Sequence, residues 1–323
     1  AAQEPSDRKT ASMTKMTMRT PEDFGFLPVV YSHGWYQCPP FHWDAEGKTL
    51  TRVTRDAAGG PVALRIREPR RGTLEIRAEV AGKLSDADRR KLRSDVRQML
   101  QVDREIAGFH DLCRRHEHLA AIPELGAGRF LRCPTVWEEL VKSVCGTNVQ
   151  WSQAVRMISL VAELGEPVEG YHAWPTPERI AEAGEETLRE RCRLGYRAPY
   201  VVELAASLMD GSLDIGPIER GELEGPELRK AFLSVKGIGP ATADYLMILN
   251  GVADRLSIDS AVYAFVKDRH FGGRRPSAAE IEQLYEPYGE WRALAYWFEA
   301  MQEYWWGPAG FDFVPDPVES DVA

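Results

Sequence analysis

The sequence predicts an α+β chain, an N-terminal antiparallel β-sheet domain followed by an all-helical domain, and three observations carry that prediction. The stretch "TRVTRDAAGGPVALRIREPRRGTLEIRAEV" alternates apolar and polar residues, with Leu74, Ile76, Ala78 and Val80 facing one way and Glu75, Arg77 and Glu79 the other. From "SDADRRKLRSDVRQML" onward the period becomes helical, with Leu92, Val96 and Leu100 in one stripe. Helical patterns then dominate, and strands first with helices after is the order of an α+β fold. The chain divides into a loose polar tail over 1–20, a sheet domain with flanking helices over 21–120, a helical domain over 121–306 and a turn-rich, acidic tail over 307–323.

Each element has a local reason. Gly59-Gly60 and Arg71-Gly72 supply turns between strands, and Ser85 is placed to cap the first long helix. Helical patterns follow over Thr135–Leu164, Glu185–Cys192, Ala198–Leu208, Glu227–Leu233, Pro240–Leu249, Ser260–Arg269, Ala278–Tyr285 and Glu290–Trp305. The first 20 residues are polar and lack the apolar run of a signal peptide.

Composition bounds the function. The chain has 323 residues, 44% of them hydrophobic, enough for an ample core, and no apolar run reaches membrane-spanning length. Five cysteines (Cys38, Cys113, Cys133, Cys145, Cys192) are scattered without a CxxC pair, which argues for reduced thiols in a cytoplasmic protein and against a zinc site. The formal net charge of −9 by itself disfavours a polyanionic partner, although local field and not net charge decides binding. Basic residues cluster in "FVKDRHFGGRRP" (Lys267, Arg269, Arg274, Arg275) and "LRERCRLGYR" (Arg189, Arg191, Arg193, Arg197). His116 and His118, two apart on a helical pattern, are expected to point apart and not to share a metal.

The chemistry concentrates in "VKGIGPATADYLMILNGVADRLSIDSAV" over 235–262. Gly237 and Gly239 bracket Ile238, and Pro240 suits a helix first turn, so the stretch reads helix, tight hairpin, helix. Such a hairpin directs free N–H groups of a helix N-terminus outward, a site suited to phosphate. Asp259 follows as a single acid in an apolar stretch, where it is either a helix N-cap or a functional carboxylate.

These residues resemble the helix-hairpin-helix and acid of the helix-hairpin-helix DNA glycosylase superfamily. "PTVWEELVKSVCGTNVQWSQAVRM" is similar to the helix and wedge loop of 3-methyladenine glycosylase II and 8-oxoguanine glycosylase. "RLGYRAPYVVELA" is similar to an element of the latter, and "PYGEWRALAYW" to the helix closing the base pocket in both. The resemblance runs from about Pro21 to Trp306. It implies a monomeric enzyme of base excision repair that binds damaged double-stranded DNA, flips a nucleotide and cleaves the base–sugar bond. By resemblance Asp259 is catalytic, stabilising an oxocarbenium-like sugar. Gly237, Ile238, Gly239, Ala241 and Thr242 bind DNA, and a monovalent Na+ or K+ is held by the carbonyls of Leu233, Val235 and Ile238. Asn148 fills the hole left by the flipped base. Tyr196 and Arg197 match a wedge and a reader of the opposite base, whereas a second reader falls on Gln153.

Departures from the family pattern refine the expectation. The Schiff-base lysine of bifunctional relatives falls on Ala241, which implies base removal without strand cleavage. No cysteine follows Cys192, so no iron–sulfur cluster is expected. Ala293 stands where a glutamine reads the 8-oxoguanine edge, and Trp297 where a ring stacks. With Tyr245 and, from "SHGWYQCPPFHW", His33, Trp35 and Tyr36, this suggests a pocket that holds an electron-deficient alkylated purine. An oxidised-purine glycosylase and a non-catalytic damage-binding module are the alternatives. The resemblance places the chain in the cytoplasm, at the nucleoid in a prokaryote.

Overall fold

The computed structural model describes residues 12–80 and 82–306. The first 11 residues and the expected C-terminal tail over 307–323 lie outside the described residues. Five antiparallel strands, β1 (Ser12–Arg19), β2 (Phe41–Asp44), β3 (Thr49–Arg55), β4 (Pro61–Arg70) and β5 (Thr73–Val80), lie in the order β1-β5-β4-β3-β2. The meander read from alternation is therefore present, but residues 12–19 are no loose tail. They form an edge strand in register with β5, Met16 opposite Ile76 and Met18 opposite Leu74, and both methionines are buried. The face expected to be solvated is partly covered: Val53 and Ala63, in register with Glu79, are buried against Ala173, and Glu75 is buried beneath Lys15, Arg67 and Arg77, which together hold its carboxyl down at about 2.

Helices of eight or more residues are α1 (Asp86–Met99), α2 (Val136–Cys145), α3 (Trp151–Ala162), α4 (Pro177–Glu186) and α5 (Ala198–Met209). They continue with α6 (Gly225–Leu233), α7 (Pro240–Leu249), α8 (Ser260–His270), α9 (Ala278–Tyr285) and α10 (Arg292–Ala300). Ser85 caps α1 in a reciprocal capping box with Asp88, as its position suggested. Helix α4 went unread in the sequence although Thr176-Pro177 is a start signal; the Thr176 side chain accepts from Arg179 N.

One hydrophobic core runs from sheet to helices and includes Leu64 and Ile76, Leu140 and Val144 of α2, and Leu294 and Phe298 of α10. At this junction a charge cluster is fully buried. Arg52 of β3 donates two hydrogen bonds to Glu138 of α2, and Lys142, one turn on, donates to the same carboxylate at 2.8 Å. The two cations overcome the burial that would raise the Glu138 carboxyl and hold it at about 2. Lys142 lies over the rings of Trp35, Phe41 and Trp174. All five cysteines are free and buried. Among the described residues no helix is long and apolar enough to cross a membrane.

Candidate active site

The hairpin forms where the sequence puts it, between α6 and α7. Gly237 has φ +91, and a Cβ there would lie 2.7 Å from the Tyr200 ring, so both backbone and packing require glycine. Gly239 differs. Its φ of −89 and ψ of 176 suit any residue, and a Cβ would meet nothing within 4 Å. Its lack of a side chain serves no contact in the free chain and leaves the outer surface open. The first intrahelical bond of α7 runs from Ala243 N to Gly239 O, so the N–H groups of Ala241 and Thr242 precede it and point outward. Ile238 is buried, so its side chain anchors the hairpin and only its backbone faces a ligand. Lys236 is exposed and paired with Glu203 at 2.6 Å.

Asp259 is exposed rather than set among apolar groups, and it is the N-cap of α8. Its Oδ1 accepts from Ala261 N at 2.9 Å and Val262 N at 3.0 Å. Among the described residues Oδ2 receives no hydrogen bond from this chain. Capping and a functional role are thus compatible, because one oxygen positions the carboxylate and the other stays available. Three ties fix the loop that delivers the acid. Ser257 Oγ donates to Ala241 O at 2.8 Å, Arg255 reaches Asp244 of α7, and Ala293 N of α10 donates to Ala253 O at 3.0 Å. Asp244 also pairs with Arg229 of α6, locking the two hairpin helices together. None of these anchors was read from the sequence. Asp244 alone gave a signal, as the one charge in "ATADYLMIL".

One turn beyond Ala241 and Ala293 stand the pocket rings Tyr245 and Trp297, stacked at 5.7 Å between centroids and 29° between planes. Trp297 Nε1 donates to Ser32 O at 2.7 Å. The Tyr245 hydroxyl donates to His33 Nδ1 at 2.8 Å, and His33 Nε2 donates to Leu131 O at 2.6 Å. Burial and the nearby Lys142 push His33 down to about 4, against the opposing Leu131 bond, so it is a neutral wall at physiological pH. Trp35 packs edge-on to both His33 and Tyr245 and joins this cluster. Tyr36 sits one layer away against Tyr31, with its hydroxyl pushed up to about 12 by burial. The structure thus brings His33, Trp35, Tyr245 and Trp297 together and sets Tyr36 behind them. Trp151, unread in the sequence, lies across Gly34 so closely that a Cβ would fall 2.3 Å from its ring, and its Nε1 donates to Gln37.

Asn148 is exposed between α2 and α3, with a left-handed φ of +49 that asparagine tolerates better than most residues. Arg197, matched by resemblance to a reader of the opposite base, turns inward in the free chain. It is buried, donates from Nε to Thr147 O at 3.2 Å and from Nη2 to Asn148 O at 3.4 Å, and lies beneath the exposed Tyr196 ring at 4.5 Å. As folded it braces the loop from within. The basic clusters are also partly engaged: Arg274 pairs with Glu280, Arg189 with Glu185, while Arg275 lies over Tyr263 in the first turns of α8. His116 and His118 were expected to point apart along a helix. The chain turns there instead, and their rings lie 5.8 Å apart against Tyr288. Among the described residues no group of three or more His, Cys, Asp or Glu is placed to hold a metal ion.

Hairpin, capped acid and aromatic wall together resemble the helix-hairpin-helix DNA glycosylases, and the known proteins to which the chain is similar are named as glycosylases. No family model matches the chain. It is similar to the DNA-3-methyladenine glycosylase 2 of Escherichia coli, 29% identical over 183 residues that span 54% of this chain and 62% of that protein. It is similar also to an N-glycosylase/DNA lyase of Saccharomyces cerevisiae, 26% identical over 127 residues, 35% of this chain and 34% of that one. Each match spans less than two thirds of the relative's length. In fold it superposes on the 3-methyladenine DNA glycosylase from Archaeoglobus fulgidus with a TM-score of 0.73 at 17% identity, over 90% of this chain and 99% of that one.

Proposed function

We propose that the chain is a monofunctional DNA glycosylase that flips an alkylated, electron-deficient purine from damaged duplex DNA and hydrolyses its N-glycosidic bond. The observation that carries this reading is the pairing of Asp259, with one oxygen uncommitted, and an aromatic wall whose only titratable base, His33, is neutral. The bond from C1′ to the base nitrogen breaks with its electrons leaving on the purine. The Asp259 carboxylate stabilises the cationic sugar, and water adds to C1′ and releases its proton to solvent while the alkylpurine departs neutral. A purine already carrying positive charge is the better leaving group and is attracted by the faces of Trp297 and Tyr245. Ala241 at the lysine position and Lys236 held by Glu203 support hydrolysis over a Schiff-base route.

The similarity to a yeast lyase and Asn148 favour the second reading, an oxidised-purine enzyme, while the inward Arg197 and Ala293 count against it. The proposal includes action as a monomer in the cytoplasm, no iron–sulfur cluster, and a monovalent cation at the carbonyls of Leu233, Val235 and Ile238. Val235 O already accepts from Ile238 N, leaving its second lone pair for the ion. Mass spectrometry of bases released from alkylated, oxidised and deaminated DNA, with borohydride trapping in parallel, tests the reading. Release of alkylpurines without a trapped adduct is expected. Release of 8-oxoguanine with an adduct that disappears in Lys236→Ala would overturn it.

A further inference from the structure

Beside the loop that carries Asn148, the Arg197 side chain turns into the protein instead of outward. We infer that Arg197 is a positioning residue that holds Asn148 in its wedge conformation, and that this chain removes its base with little regard to the nucleotide opposite. The inference rests on the glycosylase reading above.

The geometry is specific. Arg197 is 6% exposed, and two of its nitrogens converge on the Thr147 carbonyl while one also reaches the Asn148 carbonyl. Thr147 is itself held, its N–H and hydroxyl both donating to Val144 O at the end of α2. The guanidinium therefore sits at a helix C-terminus, where its charge is favoured. Arg193 and Gly195, both with positive φ, turn the chain so that Arg197 enters from below and Tyr196 closes over it. Asn148 is thus an exposed left-handed residue whose carbonyl is held from within, so its side chain projects outward from a fixed base. To reach a base edge, Arg197 would have to abandon the Thr147 carbonyl and release the loop that inserts into the duplex. The other position matched to a reader is Gln153, exposed and uncharged on the first turn of α3. Neither position offers the cation fork that reads a guanine edge or a paired base bidentately.

Excision of 7-methylguanine placed opposite C, T, A and G tests the inference. Wild-type rates are expected within about fivefold of one another, whereas one bidentate base contact separates partners by about 5- to 150-fold. Arg197→Ala should slow excision from duplex by about tenfold or more, equally for the four partners, and leave single-strand excision nearly unchanged, because only a duplex requires the wedge. Arg197→Lys, which still donates to the Thr147 carbonyl, should recover part of the loss. A changed ratio among partners in Arg197→Ala, or equal losses on duplex and single strand, would overturn the inference. A wild type that releases no base would sink the glycosylase reading instead. A second readout then still decides: 2-aminopurine beside a tetrahydrofuran abasic site brightens when the wedge unstacks it. Loss of that signal in Arg197→Ala, with the melting temperature retained, supports the positioning role; an unchanged signal refutes it.

Discussion

Replacing Asp259 by asparagine separates the two duties of this side chain. In the wild type Oδ1 accepts from Ala261 N and Val262 N and Oδ2 stays uncommitted. An asparagine oxygen can take the place of Oδ1, and asparagine caps about as well as aspartate. The cost in stability is then the lost attraction between a negative charge and a helix N-terminus, about 0.3–1 kcal/mol. For a protein of this size that lowers the melting temperature by only about 2–4 °C or less. Asp259→Ala removes the cap as well and should cost a further 0.5–2 kcal/mol or so. Activity should divide differently: both variants lose the charge that the proposed mechanism sets against the cationic sugar, and both should fall about 10²–10³-fold in the single-turnover rate, by analogy with one preorganised electrostatic contact. Single-turnover excision and thermal melts on the three proteins decide the matter. Activity that tracks stability, with asparagine near wild type and alanine impaired, would show that the acid is a cap and nothing more.

The hairpin glycines should part in the same way: Gly239→Ala should leave the melting temperature unchanged yet weaken binding to abasic-site DNA of every sequence, since its Cβ enters space open only in the free chain. Gly237→Ala, forced to φ +91 against Tyr200, should destabilise by about 1–2 kcal/mol, seen by denaturant melts. His33 refuses a proton until about pH 4, whereas its unfolded counterpart accepts one near 6.5, so the stability it contributes is complete above pH 6.5 and declines as pH falls toward 4. That decline amounts to about 3 kcal/mol, and urea melts of His33→Gln should show a shallower slope over this window. Glu138→Gln leaves Arg52 and Lys142 buried without their counter-ion and should cost about 3–5 kcal/mol by the same melts.

What the sequence disclosed was the local part of this structure. The bounds of α7 and α9, the Ser85 cap and the turn at Gly237 each depend on neighbours within a few residues, and each is where the pattern put it. Strand β1 was missed because methionine, threonine and lysine alternate without a strong hydropathy contrast, and its partner lies some sixty residues on. The site divides along the same line. Asp259 and the hairpin declare themselves within 28 residues, whereas the direction of Arg197 is set by a carbonyl fifty positions earlier. The neutrality of His33 likewise depends on burial and on Lys142, which lies more than a hundred positions further along the chain.

The loop that carries Asp259 hangs from the main-chain oxygen of Ala241 in α7 and, through its own Ala253 carbonyl, from the main-chain nitrogen of Ala293 in α10, while the rings of Tyr245 and Trp297 project one turn further along those two helices. On the glycosylase reading, bond-breaking and substrate choice then rest on separate side chains of the molecule. Exchanging the side chain at 297 or 245 would, on the same reading, alter which base is welcomed while leaving both ties of the loop in place. On that reading a lineage, or an engineer, would be free to redirect such a protein from one lesion to another by a few changes in its wall, keeping the reaction itself intact throughout.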